Sequence, residues 1–371
     1  MSEYQYYEFQ TIDRLLTEAE QADVGELSSH IEVTASRAVV TYNYGDFRHD
    51  PRQVLGRYFD ACLYAANWGT RRLMFRFPQG LIDLAVVEPY CREGVIEFTR
   101  LGVHQILEIE LNEEQGLDWV EAEGVLSGLV QLRNDILEGD HRCLYLVWLK
   151  AVTLEDPEEV VDEREPPVPA GLQKLTPALQ RLAQFFDIDP HLIKSAAITS
   201  PAKTSAISDK ALRQAIARLT REECDEFLLR LAQGEAGLGL ALKHKLRGTL
   251  EMSPPSEGSP RRSVRELLKG ARQLRGQEAQ RHREEAEKRR IEDLKKLAKR
   301  EPQAWQEVET LIQRSYQAKA YDEAVDRLLK LRELAEFQNT QADFRKRASQ
   351  LRERYQSRHS FIKRLERVGI G

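Results

Sequence analysis

Two short patterns in this sequence contain residue types that carry out acyl transfer or hold phosphate groups. Ser200 and Lys203 form an SxxK arrangement, in which a lysine one helical turn after a serine can act as its base. The pair lies in a segment rich in Ser, Thr, Ala and Pro, and no KTG strand follows it. Gly234, Gly237 and Gly239 follow a helical pattern and lack the GK[ST] of a phosphate-binding loop. We interpret the first pattern as a loop and the second as a helix-ending turn.

The histidines and cysteines do not form a recognisable metal-binding or nucleophilic pattern. The eight histidines are scattered without an HxxxH or HExxH pair, and the four cysteines contain no CxxC pair. We therefore predict no metal site and no cofactor. Each cysteine is interpreted as a small, buried apolar residue. These cysteines are Cys62, Cys91, Cys143 and Cys224.

Aromatic and arginine residues near two predicted turns form the best candidate binding pocket. Arginine presents a planar fork of donors, so three arginines beside aromatic side chains could bind an anion or a peptide carboxylate. The alternative interpretation places the aromatic residues in a core and pairs the arginines with the surplus of acidic residues. The candidate residues are Tyr42, Tyr44, Asp46, Trp68, Arg71, Arg72 and Arg76.

The charge of the chain is divided unequally between its two halves. Residues 1–170 carry 32 acidic and 14 basic residues, whereas residues 171–371 carry 28 acidic and 41 basic residues. A basic C-terminal half could contact a polyanion such as nucleic acid. The alternative is a solvated helical face, because residues 251–371 contain 20 acidic residues as well as 29 basic ones. The candidate polyanion contacts are Arg289, Arg290, Lys295, Lys296, Arg345, Lys346 and Arg347.

The first 152 residues mix strand and helix periods, which predicts an α+β domain with a largely antiparallel sheet. Residues 4–9 and 71–77 are predicted strands, and residues 95–98 and 103–111 a predicted hairpin. Thr17 and Glu20 form a capping box. Asp50 and Pro51 begin a predicted helix whose apolar face includes Val54, Leu55, Tyr58, Phe59, Cys62 and Leu63. The apolar run 143–149 fits a helix or a strand.

The rest of the chain is predicted to be helical and to be interrupted by two linkers. Residues 153–170 combine carboxylates with prolines, which indicates a semi-extended acidic linker. Residues 171–250 are predicted to form a small helical domain, in which Thr220 and Glu223 form a capping box, and residues 251–260 a second linker. Residues 261–371 are predicted to form an extended, charged helical arm with coiled-coil-like or hairpin helices.

Apolar residues recur at helical spacing in this arm and define a candidate face for a partner helix. We expect three antiparallel helices joined by short turns in this region, carrying apolar stripes on a very charged background. Such stripes favour packing on a partner protein or on a second copy of the chain. The candidate residues are Trp305, Leu311, Tyr316, Tyr321, Leu328 and Leu331.

Several N-terminal motifs carry a resemblance to a known family. The run YQYYEFQ at residues 4–10 precedes Ile12 and Asp13, and residues 66–71 read ANWGTR. In these motifs the chain resembles a family of uncharacterised bacterial proteins, which has a proline where this chain has Leu15. The resemblance implies a bacterial cytosolic protein and implies no activity.

These patterns lead to one main functional hypothesis and two alternatives. No stretch reaches the roughly 18 apolar residues that span a bilayer, so we expect a cytoplasmic protein without a membrane partner. The main hypothesis is a non-enzymatic interaction or assembly protein that acts through its C-terminal helices. The first alternative is a nucleic-acid-associated subunit of a bacterial complex that uses the basic arm. The second is an enzyme of unknown class with a site near Trp68 and Arg71.

Overall fold

A computed structural model describes residues 4–113, 122–160, 162–203, 209–234, 238–249, 261–314 and 318–370. The chain forms two compact units, residues 1–275 and residues 276–371. The first unit contains an antiparallel sheet with helices, and long helices follow, which confirms the predicted fold class. Side chains from the predicted linker and the predicted small helical domain, including Glu165 and Phe186, are buried in the first unit.

The sheet of the first unit contains seven antiparallel strands among the described residues, in the order β2-β3-β1-β4-β5-β7-β6. Gly102 turns between β6 and β7 at φ +60°, so the predicted hairpin is confirmed. The strands are β1 Gln5–Gln10, β2 Ile31–Val33, β3 Arg37–Tyr42, β4 Ala61–Ala66, β5 Thr70–Pro78, β6 Ile96–Leu101 and β7 His104–Asn112.

Helices pack on both faces of this sheet, and three helix N-termini of the first unit follow the predicted capping signals. Thr17 with Glu20 and Thr220 with Glu223 form complete capping boxes, and Asp50 caps the helix that begins at Pro51. The helices are α1 Glu18–Gly25, α2 Pro51–Tyr58, α3 Leu84–Val87, α4 Gln131–Leu137, α5 Arg142–Leu154, α6 Pro157–Val160, α7 Pro177–Phe185, α8 Pro190–Ala197, α9 Asp209–Ile216, α10 Arg221–Ala232 and α11 Leu238–Thr249.

One predicted helix is wrong in its second half. The helix that begins at Pro51 ends at Tyr58, and Cys62 and Leu63 lie in β4, between β1 and β5. Phe59 is already extended (φ −125°, ψ 170°), and the amide of Asp60 donates to the backbone carbonyl of Gln10. Strand pairing with two neighbours therefore overrides the helical spacing of the apolar residues.

Each face of the sheet packs against its own apolar layer. On the first face, Phe9, Cys62 and Met74 pack with residues of α1 and α2 in one cluster. On the second face, side chains of β4, β5 and β7 pack with α4, α5, α7 and α8 and with Val264, Leu267 and Ala271 from later in the chain. The ambiguous run 143–149 lies in α5, whose residues 142–152 are all buried.

A buried carboxylate, Glu165, connects two distant segments to α5. Its side chain accepts hydrogen bonds from the hydroxyl of Tyr145 and from Nε and Nη2 of Arg262, the latter two at 2.9 Å. Its amide donates to the carbonyl of Arg262 at 2.9 Å. The segment around residue 165 is thus fixed to residues 262–264, which begin helix α12, Val264–Lys299.

The second unit is helical. It contains the later part of α12 together with α13 Glu301–Arg314, α14 Ala318–Gln338, α15 Gln341–Arg354 and α16 His359–Arg367. Their apolar stripes meet in one core that includes Leu294, Val308, Leu328, Leu351 and Phe361.

A second buried ionic cluster fixes the end of β1 to the start of β4. Asp60 accepts hydrogen bonds from the amides of Ile12 at 2.6 Å and Asp13 at 3.0 Å, and from Arg76 at 2.6 Å. Arg133 pairs with both carboxylate oxygens of Asp13 at 2.9 and 2.7 Å. Burial alone would raise the pKa of Asp60, but the Arg76 charge and the two amides outweigh it and hold that pKa below its usual value.

Replacing Glu165 with alanine should lower the free energy of unfolding of the first unit by about 3 to 5 kcal/mol, because Arg262 and Tyr145 would lose their shared buried acceptor. Chemical denaturation followed by tryptophan fluorescence measures this loss. The matched control is Glu163→Ala, since Glu163 is 37% exposed and Arg92 keeps Glu155 as a partner. The control should cost less than about 1 kcal/mol. Equal losses for the two variants would contradict the role of Glu165.

Replacing Asp60 with asparagine should destabilise the protein most at neutral pH. Because the pKa of folded Asp60 is depressed, its stabilisation is complete above the unfolded value of about 3.9 and is lost as the pH falls toward the folded value. The difference in unfolding free energy between wild type and variant should therefore shrink below about pH 4. Denaturant titrations from pH 7 to pH 3 measure it, and a constant difference would refute the assignment.

Candidate functional site

A cleft of about 680 Å³ opens on the first face of the sheet, beyond the part that α1 and α2 cover. One row of directly paired residues crosses four strands and forms its floor: Tyr7 pairs with Tyr64, Tyr64 with Arg72, and Arg72 with Glu110. This volume falls in the usual range for ligand pockets, about 300 to 1,000 Å³. The lining residues are Gln5, Tyr7, Gly45, Asp46, Tyr64, Trp68, Thr70, Arg72 and Glu110.

The two tyrosines of the floor share one hydrogen-bond acceptor. The hydroxyls of Tyr7 and Tyr64 each donate to Oε1 of Gln5 at 3.1 Å, and Nε2 of Gln5 donates to the carbonyl of Gly45 at 2.9 Å. Their rings lie 4.5 Å apart. Burial raises the pKa of Tyr64 to about 12 and also raises the pKa of Tyr7. Both phenols therefore stay protonated near neutral pH and serve as neutral hydrogen-bonding groups.

The arginine in the cleft is already paired with carboxylates. Nε of Arg72 donates to Oε2 of Glu110 at 2.6 Å and lies 3.2 Å from Oε1 of Glu108. Glu108 also pairs with Arg52 at 2.5 Å. The guanidinium carbon of Arg72 lies 5.7 Å from the centre of the Tyr64 ring. The positive charge of Arg72 is thus neutralised within the sheet.

The rim of the cleft is formed by two turns. Asp46 lies on the first turn, where its Oδ1 accepts hydrogen bonds from the amide of Phe47 at 2.8 Å and from the hydroxyl of Tyr7 at 3.4 Å. Trp68 lies on the second turn and is 43% exposed. Gly69 follows it at φ +102°, and its carbonyl accepts the amide of Glu113 at 3.2 Å.

The structure brings only part of the predicted pocket together. Trp68, Arg72 and Asp46 line the cleft, and Tyr44 is an exposed neighbour of Gly45. Arg71 points to the opposite face, where its guanidinium donates to the carbonyl of Phe185, and burial lowers its pKa. Side chains alternate along a strand, so adjacent arginines cannot share one face.

The two remaining pocket residues are engaged elsewhere. Arg76 pairs with Asp60 and donates to the carbonyl of Gly56 at 3.0 Å. The hydroxyl of Tyr42 lies 2.8 Å from Oγ of Ser28. Sequence reasoning missed Gln5, Tyr7, Tyr64 and Glu110. Tyr64 was missed because the residues of its strand continue the apolar spacing of the helix that begins at Pro51.

The SxxK residues have separate partners. The hydroxyl of Ser200 donates to the carbonyl of Pro169 at 2.7 Å and accepts the amide of Leu172 at 3.0 Å. Nζ of Lys203 pairs with Asp140 at 2.8 Å. Both side chains thus connect loops within the first unit. Within the described ranges, no group of three His, Cys, Asp or Glu side chains is placed to hold a metal ion.

The predicted partner-helix residues lie inside the second unit. Trp305, Tyr321, Leu328 and Leu331 are buried in its core, and Leu311 packs against that core. Tyr316 lies outside the described residues. The apolar stripes of α13 and α14 are therefore used to pack the unit itself.

The predicted polyanion contacts lie on exposed surfaces of the second unit, but two of them have acidic partners close by. Arg290 pairs with Glu287 and Glu333, and Lys296 with Glu292. Arg347 lies over the ring of Trp305 at 4.7 Å. The exposed residues are Arg289, Arg290, Lys295, Lys296, Arg345, Lys346 and Arg347.

A different apolar surface is exposed on the first unit. Helix α10 has no buried residue in the described structure, and it carries Leu228, Leu229 and Leu231, which are 60%, 59% and 64% exposed. We call these three residues the leucine face. Monomeric proteins rarely expose large contiguous apolar patches, and such patches often mark interaction sites.

Comparisons with protein-family models, with curated proteins and with solved structures give no match to this chain. The resemblance drawn from the N-terminal motifs therefore stays an expectation. In the part of the chain that the structure describes, no helix has the length and apolarity to cross a membrane.

Replacing Gly69 with alanine should destabilise the protein more than replacing Gly45. Both glycines have strongly positive φ, +102° and +95°, so each variant takes on backbone strain of about 1 to 3 kcal/mol. At Gly69 the new Cβ would also lie 1.9 Å from the carbonyl oxygen of Glu113, whereas at Gly45 nothing lies within 4 Å. Thermal unfolding of both variants measures the difference. Equal destabilisation would show that the close approach at Gly69 has no consequence.

Proposed function

We propose that the protein is a non-enzymatic interaction component that docks on a partner protein through the leucine face of α10. The observation that carries this proposal is the exposure of Leu228, Leu229 and Leu231 on one short helix. The main hypothesis from the sequence placed the contact in the C-terminal helices. Since those stripes pack the second unit, α10 is the better candidate surface.

Helix α10 does not need its leucines to remain folded. Thr220 and Glu223 form its capping box, and Arg221 pairs with Asp225 one turn later at 3.0 Å. Lys245 of α11 pairs with Glu223 at 2.8 Å. The helix is therefore held by its end and by its polar side, and the leucine face is left for another surface.

Burial of the leucine face on docking would contribute several kcal/mol to the free energy of binding, as an estimate for each leucine shows. A fully buried leucine contributes about 1.5 to 3 kcal/mol relative to an exposed one. Leu228, Leu229 and Leu231 are each about three-fifths exposed, so each could contribute about 1 to 2 kcal/mol on docking. Leu228 and Leu231 are three residues apart and lie on one side of the helix, as do the anchors of a helix that lies in an apolar groove.

The size of α10 argues against a second copy of the chain as its partner. The helix has 12 residues, about 18 Å of length, and one such helix against its own copy falls short of the roughly 800 Å² per side of a stable dimer. A groove surrounds a helix and buries more of it. Exposed Glu222 and Glu226 precede the leucines. We therefore propose a partner protein whose apolar groove has a basic rim.

Replacing Leu228, Leu229 and Leu231 together with serine should abolish partner binding and leave the fold intact, because exposed side chains contribute little to folding. The full-length wild type and variant are used as baits in quantitative affinity purification, and a photoreactive residue at position 228 identifies the protein in direct contact. For the purified partner, we expect at least a tenfold loss of affinity in the variant.

The matched control replaces three other exposed apolar residues of the first unit, Leu84, Val86 and Val103, with serine. This control should retain the partner that the leucine variant loses. The same proteins recovered with all three baits would overturn the proposal. Light scattering gives a further check, since a dimer that becomes a monomer in the leucine variant would show that a second copy is the occupant and not a groove of another protein.

A further inference from the structure

We propose that the cleft at the end of the sheet is a binding site for an organic cation, with an ammonium or guanidinium group held between the Asp46 carboxylate and the Trp68 ring. This ligand site is independent of the leucine face of α10. The inference rests on the charge balance, the aromatic rim and the neutral floor of the cleft.

The charge balance of the cleft favours a cation. Arg72 faces Glu110 at 2.6 Å and Glu108 at 3.2 Å, and Glu108 is also paired with Arg52. These four side chains together are neutral. Asp46 adds one negative charge at the rim, and its Oδ2 receives no hydrogen bond from the described residues. The ligand that completes this arrangement carries a positive charge.

The same contacts disfavour an anion, which was the ligand class predicted from the sequence. An anion at Arg72 would have to displace Glu110 or lie beside it, and like charges at that distance repel each other. The other two arginines of the predicted anion pocket do not line the cleft, because Arg71 lies on the opposite face and Arg76 is paired with Asp60.

The aromatic rim supplies the second component of cation recognition. Trp68 is 43% exposed on one turn, and Tyr44 is 77% exposed on the other. A cation over an indole ring gains about 0.5 to 2 kcal/mol from the ring quadrupole. Gly69 fixes the turn that presents Trp68, since its backbone lies against Glu113 without room for a Cβ atom.

The floor offers phenol oxygen atoms, and its cationic side chain, Arg72, is paired with Glu110 and Glu108. A phenol oxygen can accept a hydrogen bond as well as donate one, so the hydroxyls of Tyr7 and Tyr64, which also contact Gln5, give the floor acceptor atoms for a donor from the ligand. An ammonium has three donors and a guanidinium five, and neither has an acceptor. The cleft therefore matches the hydrogen-bonding character of these cations.

The cation could be a free small amine or the side chain of a lysine or arginine in a peptide. Both sources present the same group at the end of an alkyl chain, and a cleft of about 680 Å³ accepts either. The probes are n-butylammonium, n-butylguanidinium and a blocked pentapeptide with a central lysine or arginine. Propionate serves as the anionic control of similar size.

Binding is followed on the full-length protein by the indole N–H signal of Trp68 in a TROSY NMR titration, assigned by its loss in Trp68→Phe. We expect a saturable shift with the cations and none with propionate, while the signals of buried Trp148 and Trp305 stay fixed. Asp46→Asn should weaken cation binding at least about tenfold, because it removes the charge and keeps the oxygen that accepts from Phe47. Added salt should weaken binding as well.

The matched control is Glu32→Gln, which removes one exposed carboxylate of the first unit away from the cleft and should leave the affinity unchanged. Tighter binding of the peptide than of the free amines identifies a side chain as the natural ligand, and the reverse order identifies a small amine. An absent shift with all cations overturns the proposal. So does equal affinity in wild type and Asp46→Asn, or stronger binding of propionate.

Discussion

Both faces of the sheet of the first unit pack against helices, the first face only in part, and most other features of that unit follow from this constraint. A sheet with two buried faces needs two apolar layers. One layer comes from α1 and α2, which have eight residues each and cover only part of the first face. The uncovered end of that face carries the row from Tyr7 to Glu110 and becomes the cleft. The second layer is larger and requires segments up to Ala271.

Ion pairs hold together segments of that second layer whose composition alone would predict exposure to solvent. Residues 153–170 contain seven carboxylates and four prolines, so their average composition indicates an extended linker. One of these carboxylates, Glu165, is buried because Arg262, which lies 97 residues away, neutralises it. This ion pair and the pairing of Arg92 with Glu155 and Glu163 hold the segment in place, and such long-range partners leave no local signal in the sequence.

Local signals predicted most of the elements correctly, and long-range pairing accounts for the main error. The capping boxes at Thr17 and Thr220 and the hairpin at Gly102 depend on a few adjacent residues, and the structure has all three. Strand β4, ACLYAA, contains three alanines and a leucine and continues the apolar spacing of α2, so its sequence favours a helix. Its pairing with β1 and β5 decides otherwise.

The candidate site was predictable to the same limited extent. Trp68 and Arg72 were found because they stand next to a turn, but Tyr64 could be found only by pairing β4 with β5. The alternation of side chains along β5 would have separated Arg71 from Arg72 without a structure. That separation changes the charge of the ligand that the pocket favours, because a group of three arginines attracts anions and a single paired arginine does not.

Apolar stripes on helices have the same appearance in sequence whether they are internal or exposed, and the number of neighbouring helices decides between the two. In the second unit, α13 packs on α14, and α14 also contacts α15 and α16, so Trp305 and Leu328 are covered. Helix α10 has α11 on one side, where Glu223 meets Lys245, and its leucine face has no covering helix in the described structure. A partner protein that packs on the leucine face would bury it, as α13 to α16 bury one another's apolar stripes.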